Sequence, residues 1–267
     1  LLPGFSIGKL SMPTDSPAAG FVEKWLQREP VFVQASLFVA PAQRALFAQW
    51  GALLFCLREA AFELSDPSVR LTKSGWWAQE LLAITQLQAQ HPLTQELMAF
   101  PDAPWAGLSA ALPQSASNSD RSALDTGDAL AQMMPVASAT VAVEAALLGG
   151  EANAAAMRLA AVHLLAQRLW RGQTADDAGR VPLQLLARHQ VSRSAIREGA
   201  AAAAIAEYAR ELLLAAPAQS TSAPLFRRMQ WVSDRDLLAR MAAGRPLGNK
   251  PGLRSVWQLW RAARRGR

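Results

Sequence analysis

PAQRALFAQWGALLFCLREAAFEL, residues 41–64, decides the fold. Proline suits a first helical turn, because the N–H it lacks would have no helical partner there, and Gly51 is the one breaker before Ser65-Asp66-Pro67. Between residues 45 and 57 the apolar side chains run nearly all round the helix rather than along one stripe. A helix of that kind belongs in the middle of a bundle, with neighbours on every side.

Working outward, residues 21–28 read as a short helix ending at Pro30, with Phe21, Trp25 and Leu26 on its apolar side. The pattern predicts a helix over 76–90, burying Trp77, Leu81, Ile84, Leu87 and Trp76, and another starting at His91-Pro92. A short helix and a surface loop are expected in 101–117. One long helix follows over 120–148, kinked by Pro135 and closed by Gly149-Gly150, and then one over 153–170. Residues 183–189 form a short helix. Ser192 caps a helix running through Ile205, Tyr208 and Leu212 toward Pro217, and 225–243 and 253–265 complete the set.

Of the 267 residues 51% are hydrophobic and 18% charged, enough apolar chain for one large core. With few β-branched residues and no period-two alternation, the expectation is an all-α, single-domain bundle of roughly ten helices. An irregular arm, 1–20, precedes the helical domain, 21–265. The single cysteine, Cys56, permits no internal disulfide and fits a reducing compartment, and nothing in the spacing suggests zinc. No apolar run approaches the roughly 20 residues of a spanning helix, and no secretory signal is read, so a cytoplasmic protein is expected. The net charge of +6 gathers at the end, in Arg254, Arg261, Arg264, Arg265 and Arg267. A solvated tail is the ordinary reading of such a run; peripheral contact with an anionic membrane is the other, and nucleic acid is not expected.

AAVHLLAQRLWRGQTADDAGRVPLQLLARH, residues 160–189, carries Gly179-Arg180 and Pro182-Leu183 behind a helix. It resembles the second half-site of the phytoene/squalene synthase family, N-x-x-x-D-x-x-x-D followed by G-R and a Pro-Leu turn. The three metal-ligand positions of that pattern fall on Gln167, Arg171 and Ala175. The first half-site, F-C-R-x-x-D-D-x-x-D, is similar to the run Phe55 to Leu64, where the acids are replaced by Ala60, Ala61 and Leu64. Trp76-Trp77-Ala78-Gln79-Glu80-Leu81 and His91-Pro92-Leu93 resemble further segments of bacterial members, as do 183–193 and 259–264, so the likeness spans about 21–264.

The resemblance implies a helical bundle of the isoprenoid synthase type with a central cavity. In active members two acidic half-sites hold magnesium, which needs an octahedral shell of oxygens and neutralises the departing diphosphate of a prenyl diphosphate. Here the expectation is that magnesium-dependent prenyl transfer is lost, no cofactor is held, and the protein keeps a cavity for an isoprenoid or other apolar ligand or serves a protein partner in assembly. The alternative is an active prenyltransferase that condenses two prenyl diphosphates with magnesium. It would draw on Glu59 and Glu63, four apart on the first helix, and on Asp176 and Asp177 beside the last lost acid.

Arg171 either faces Glu59 or Glu63, supplying charge in place of metal, or points to water at its helix end and complements the helix dipole. The cavity is expected to be lined by Phe55, Glu59, Phe62, Glu63, His163, Gln167, Arg171 and Arg180. His163 reads as a hydrogen-bonded core residue or a cavity group, His91 and His189 as structural. No Ser-His-Asp or Cys-His arrangement is read from local spacing, and Gly149-Gly150 lacks the lysine of a phosphate loop.

Overall fold

A computed structural model describes residues 16–172, 180–217, 221–247 and 252–264; among them the chain forms thirteen α-helices and no strand. In order these are α1 (Ala19–Arg28), α2 (Val31–Ala35), α3 (Arg44–Arg58), α4 (Pro67–Thr85), α5 (Pro92–Leu97), α6 (Trp105–Ser117), α7 (Thr126–Leu148), α8 (Ala154–Arg171), α9 (Leu183–Arg188), α10 (Arg193–Arg197), α11 (Ala202–Ala215), α12 (Leu225–Ala242) and α13 (Leu253–Arg264). Short 3₁₀ turns at Ser36–Phe38 and Pro41–Gln43 lead into α3, which continues without a break into a π-helical turn, Glu59–Glu63.

α3 lies at the centre, packed by α1, α5 and α7, and is buried on all sides from Phe47 onward. Gly51 is required there. A Cβ on it would stand 2.3 Å from the Trp25 ring, so the breaker in the run is what lets α1 lay its indole against α3. Trp25, Phe32, Phe47 and Phe226 form one aromatic cluster, with Phe32 and Phe226 stacked at 5.0 Å, tying α1, α2, α3 and α12 together. Buried aromatics of this size dominate the apolar contribution to a core.

Caps fix where several helices start. Asp66 accepts from the Ser68 and Val69 amides at 2.8 and 3.2 Å, Asp125 from Asp128 N at 2.8 Å, and Asn153 from Ala156 N at 2.9 Å. Glu80 joins two of the quoted segments: its Oε1 accepts from the amides of Gln90 and His91 and from Thr94 Oγ1, each at 2.6 Å. His91 caps α5 by accepting from Leu93 N, packed between the rings of Phe21 and Trp77.

Several elements differ from their sequence reading. α4 starts at Pro67, nine residues before the expected Trp76, because Asp66-Pro67 opens a helix as an N-cap and N1 pair rather than only closing the one before. It stops at Thr85; Leu87 is 62% exposed with φ 57°, outside the helix, and Trp76 is exposed. α6 is a full thirteen-residue helix carrying Pro113, where a short helix and loop were expected. α7 begins at Thr126, not Asp120. The helix expected from Ser192 onward is two, α10 and α11, divided where Gly199 takes φ 75°. The helices number thirteen among the described residues against the roughly ten expected.

The count of possible spans also changes. Pro41–Glu63 and Thr126–Leu148 are each long and apolar enough, by length and composition, to cross a bilayer, and the first is mostly buried inside the bundle. The arm at 1–15 lies outside the described residues.

Candidate functional site

The end of α3 and its π turn pack against α8, and charged groups fill the space between them. In an α-helix, residues five apart sit about 140° apart round the axis. The π turn, closed by i→i+5 bonds, takes up that angle and brings Glu63 round to Arg58, whose Nε donates to Glu63 Oε1 at 2.9 Å. Arg58 Nη1 donates to Glu29 Oε1 at 2.8 Å, at the end of α1, and approaches His163 Nε2 at 3.1 Å on α8. Arg171 closes the row: its Nε lies 3.7 Å from Glu63 Oε1 and donates to Gln167 Oε1 at 3.4 Å, one turn back on α8.

A second row continues into α12. Both oxygens of Asp234 lie 3.0 Å from His163 Nδ1. Arg227 Nη1 donates to Gln230 Oε1 at 2.6 Å, which turns the Gln230 amide nitrogen toward His163 Nε2 at 3.0 Å. Arginine can only donate, so Nε2 is the acceptor and Nδ1 carries the hydrogen bonded to Asp234. Arg227 also donates through Nε to Glu144 Oε2 at 3.2 Å, and Trp50 Nε1 donates to Glu144 Oε1 at 3.4 Å.

Two buried glutamates of these rows, Glu29 and Glu144, respond in opposite directions. Burial works against ionising Glu29, but the Arg58 guanidinium overcomes it and holds the carboxyl below the usual range. Burial wins at Glu144, whose carboxyl is raised in spite of Arg227. Burial would lower Arg58, yet Glu29 and Glu63 hold it above its ordinary value; for Arg171 burial and the nearby Arg58 charge leave it lowered.

Of the positions singled out in the sequence, Glu63, His163, Gln167 and Arg171 meet here. Arg171 therefore faces Glu63 and is mostly covered, and does not simply point to water. Glu59 turns outward to Lys24 at 3.3 Å and Lys73 at 3.7 Å. Phe55 is buried beneath the Lys24 and Arg58 cations, each 5.5 Å from its ring. Ala60 and Ala61 are buried in the core, and Leu64 gives its carbonyl to Arg70 Nη1 at 3.0 Å. Ala175, Asp176 and Asp177 lie outside the described residues.

Arg180 stands elsewhere: its Nη2 donates to Asp120 Oδ1 at 2.7 Å, and the same carboxylate accepts from Arg70. Buried Arg168, nearby, is lowered to about 10 by burial first and the Arg180 charge second. His189 Nε2 donates to Glu207 Oε2 at 2.6 Å.

Two cavities flank the charged rows. One of about 80 Å³ has Arg28, Glu29, Gln167, Trp170, Asp236 and Arg240 among its lining; the other, about 40 Å³, is walled by Leu57, Phe62, Leu108 and Leu164 over Arg58 and His163. Both fall well below the roughly 300–1,000 Å³ of ordinary small-molecule pockets. Phe55, Glu59, Glu63, Arg171 and Arg180, expected to line a cavity, line neither of these two; their partners are each other and Lys24, Lys73, Arg58 and Asp120.

Among the described residues the donor set does not fit magnesium. Glu63 is engaged by two guanidiniums and Glu59 by two ammoniums, and the facing positions on α8 present an amide and a cation. Among the described residues no three His, Cys, Asp or Glu side chains converge in a set a metal ion could use. His163 Nε2 meets two donors, Arg58 Nη1 and the Gln230 amide.

Glu29, Arg58, Glu144, Arg227, Gln230 and Asp234 were not singled out from the sequence. Their signal was weak but present: Glu144 in VAVEAALL and Arg58 closing an apolar run are charges on faces that must be buried. No family model matches the chain, and no curated protein matches it.

Proposed function

We propose that the chain is a phytoene/squalene synthase-like helical protein without magnesium-dependent prenyl transfer, serving as an assembly partner for another protein. One observation carries this reading: the row Glu29–Arg58–Glu63–Arg171 occupies the space between the two helices that resemble the family's acidic half-sites. Arginines there satisfy the carboxylates that remain, so the charge a metal would bring is already supplied by the protein. The partners of His163 Nε2 support the same reading, since both are core side chains, Arg58 and Gln230, that hold the ring as part of the packed interior.

A retained site for an isoprenoid or other apolar ligand is the second form of this reading. The apolar wall of Leu57, Phe62, Leu108 and Leu164 favours it, and a volume of about 40 Å³ counts against it. Assembly is therefore preferred over ligand storage.

The test is incubation of the full chain with farnesyl diphosphate and magnesium. The expected result is no release of diphosphate and no magnesium-dependent rise in Tm. Turnover that disappears in Glu59→Ala or Glu63→Ala would establish the active prenyltransferase instead.

A further inference from the structure

A face outside the charged rows carries a separate activity: we propose that α13 docks the protein on an anionic lipid surface. After Asp236 the chain contains eight Lys and Arg and no Asp or Glu, so the whole net charge of +6 comes from its last segment and the remainder is slightly acidic. α13 turns that bias into a geometry. At about 100° per residue, Arg254, Trp257, Trp260, Arg261 and Arg264 fall within an arc of about 120°, with Leu259 roughly opposite.

The structure shows which side faces inward. Leu259 is fully buried, and the Ala262 carbonyl accepts from Arg228 of α12, so the helix is held on the body by its other face. Trp257 is 53% exposed and Trp260 39% exposed. Arg261 lies 4.5 Å from the Trp257 ring and Arg264 4.8 Å from the Trp260 ring. α2 and the Ser36–Phe38 turn, against which α13 packs, expose Val33 and Leu37.

Two large indoles in water are unfavourable unless something covers them. The chemistry of the cover follows from their companions. Indole prefers the boundary between hydrocarbon and headgroup, and a guanidinium laid on its face stays at that depth beside lipid phosphates. An amphipathic helix with arginines and tryptophans on one face and no acid suits an anionic bilayer surface, where apolar insertion and charge attraction add. A protein groove would take up the indoles but not explain the uniform positive charge around them.

The experiment is co-sedimentation of the full chain with vesicles of phosphatidylcholine alone and of phosphatidylcholine mixed with phosphatidylglycerol. Binding is expected to the mixed vesicles and not to the neutral ones, and to weaken as salt rises. Arg261→Gln/Arg264→Gln is expected to lower the partition coefficient about fivefold for each charge removed. Trp257→Ala/Trp260→Ala, which keeps every charge and leaves Leu259 in place, is expected to lower it as well, with an unchanged Tm showing that the fold is intact. Lipid brominated near the headgroup should quench tryptophan fluorescence in the parent and much less in that tryptophan variant.

Absence of binding to mixed vesicles overturns the proposal, as does binding that ignores both double variants. Tight binding to a single-stranded RNA oligonucleotide without vesicle binding would assign the face to nucleic acid instead.

Discussion

Arg58 and Glu63 are five residues apart and meet at 2.9 Å, a contact that the angular offset of a regular α-helix disfavours and that the π turn Glu59–Glu63 favours. Arg58 thereby touches three elements at once: its own turn, Glu29 after α1 and His163 on α8.

Removing the guanidinium strands Glu29 in the interior. Arg58→Ala is expected to cost about 3–5 kcal/mol in urea unfolding, the usual penalty for an uncompensated buried charge. Arg58→Met combined with Glu29→Leu should recover much of that loss, since an apolar pair of similar volume needs no counter-charge. A double variant no more stable than Arg58→Ala alone would show that the other partners of Arg58 matter more than Glu29.

Glu29 and Glu144 should give pH profiles of opposite slope. The Glu29 carboxyl lies below its ordinary 4.5, so its contribution is full above that value and disappears as pH falls through the folded pKa. The stability difference between the parent and Glu29→Gln should therefore shrink below pH 4.5. Glu144 is raised above 4.5, so its protonated form is the one the fold favours, and its contribution is full below 4.5 and lost as pH climbs through the folded pKa. The parent should lose ground to Glu144→Gln over that rise. Chemical denaturation at a series of pH values checks both; parallel profiles would contradict the opposed environments.

Cys56 should be inert in the folded protein. Burial first, and the nearby Glu59 charge second, push its thiol up to about 11, leaving little thiolate at neutral pH. Iodoacetamide followed by mass spectrometry should find the cysteine unmodified until denaturant is added. Prompt labelling of the native chain would mean that α3 opens at its end.

Gly51→Ala should destabilise by about 1–3 kcal/mol, the range of an overpacked core, because the new methyl would meet the Trp25 ring. Adding Trp25→Leu should remove part of that penalty, so the two changes are expected to be non-additive in Tm and in urea midpoint. Additive effects would place the strain somewhere other than the indole.

The central helix and the all-helical class were legible in 41–64, where apolar residues on every side leave one physical solution. The start of α4 was not, because Asp66-Pro67 serves equally as the end of one helix and the cap of the next, and local sequence does not choose. Gly199 divides α10 from α11 through a left-handed φ that alanine-rich flanks concealed. The site was legible only in part. Glu63, Gln167 and Arg171 were drawn from the likeness to the two half-sites, but Glu29, Arg58 and Asp234 meet from positions 29 to 105 residues distant from their partners. Such pairings depend on how helices cross, which no local pattern records.

The π turn also constrains what substitution alone can achieve. Residues 59–63 make up that turn, so new acids at 60 and 61 would stand where Ala60 and Ala61 are buried in the core, and one at 64 would follow in extended backbone. Rebuilding an ion-binding face would therefore take more than an exchange of side chains, since carboxylates would have to be accommodated in packed core and Arg58 released from its clasp on Glu63 and Glu29.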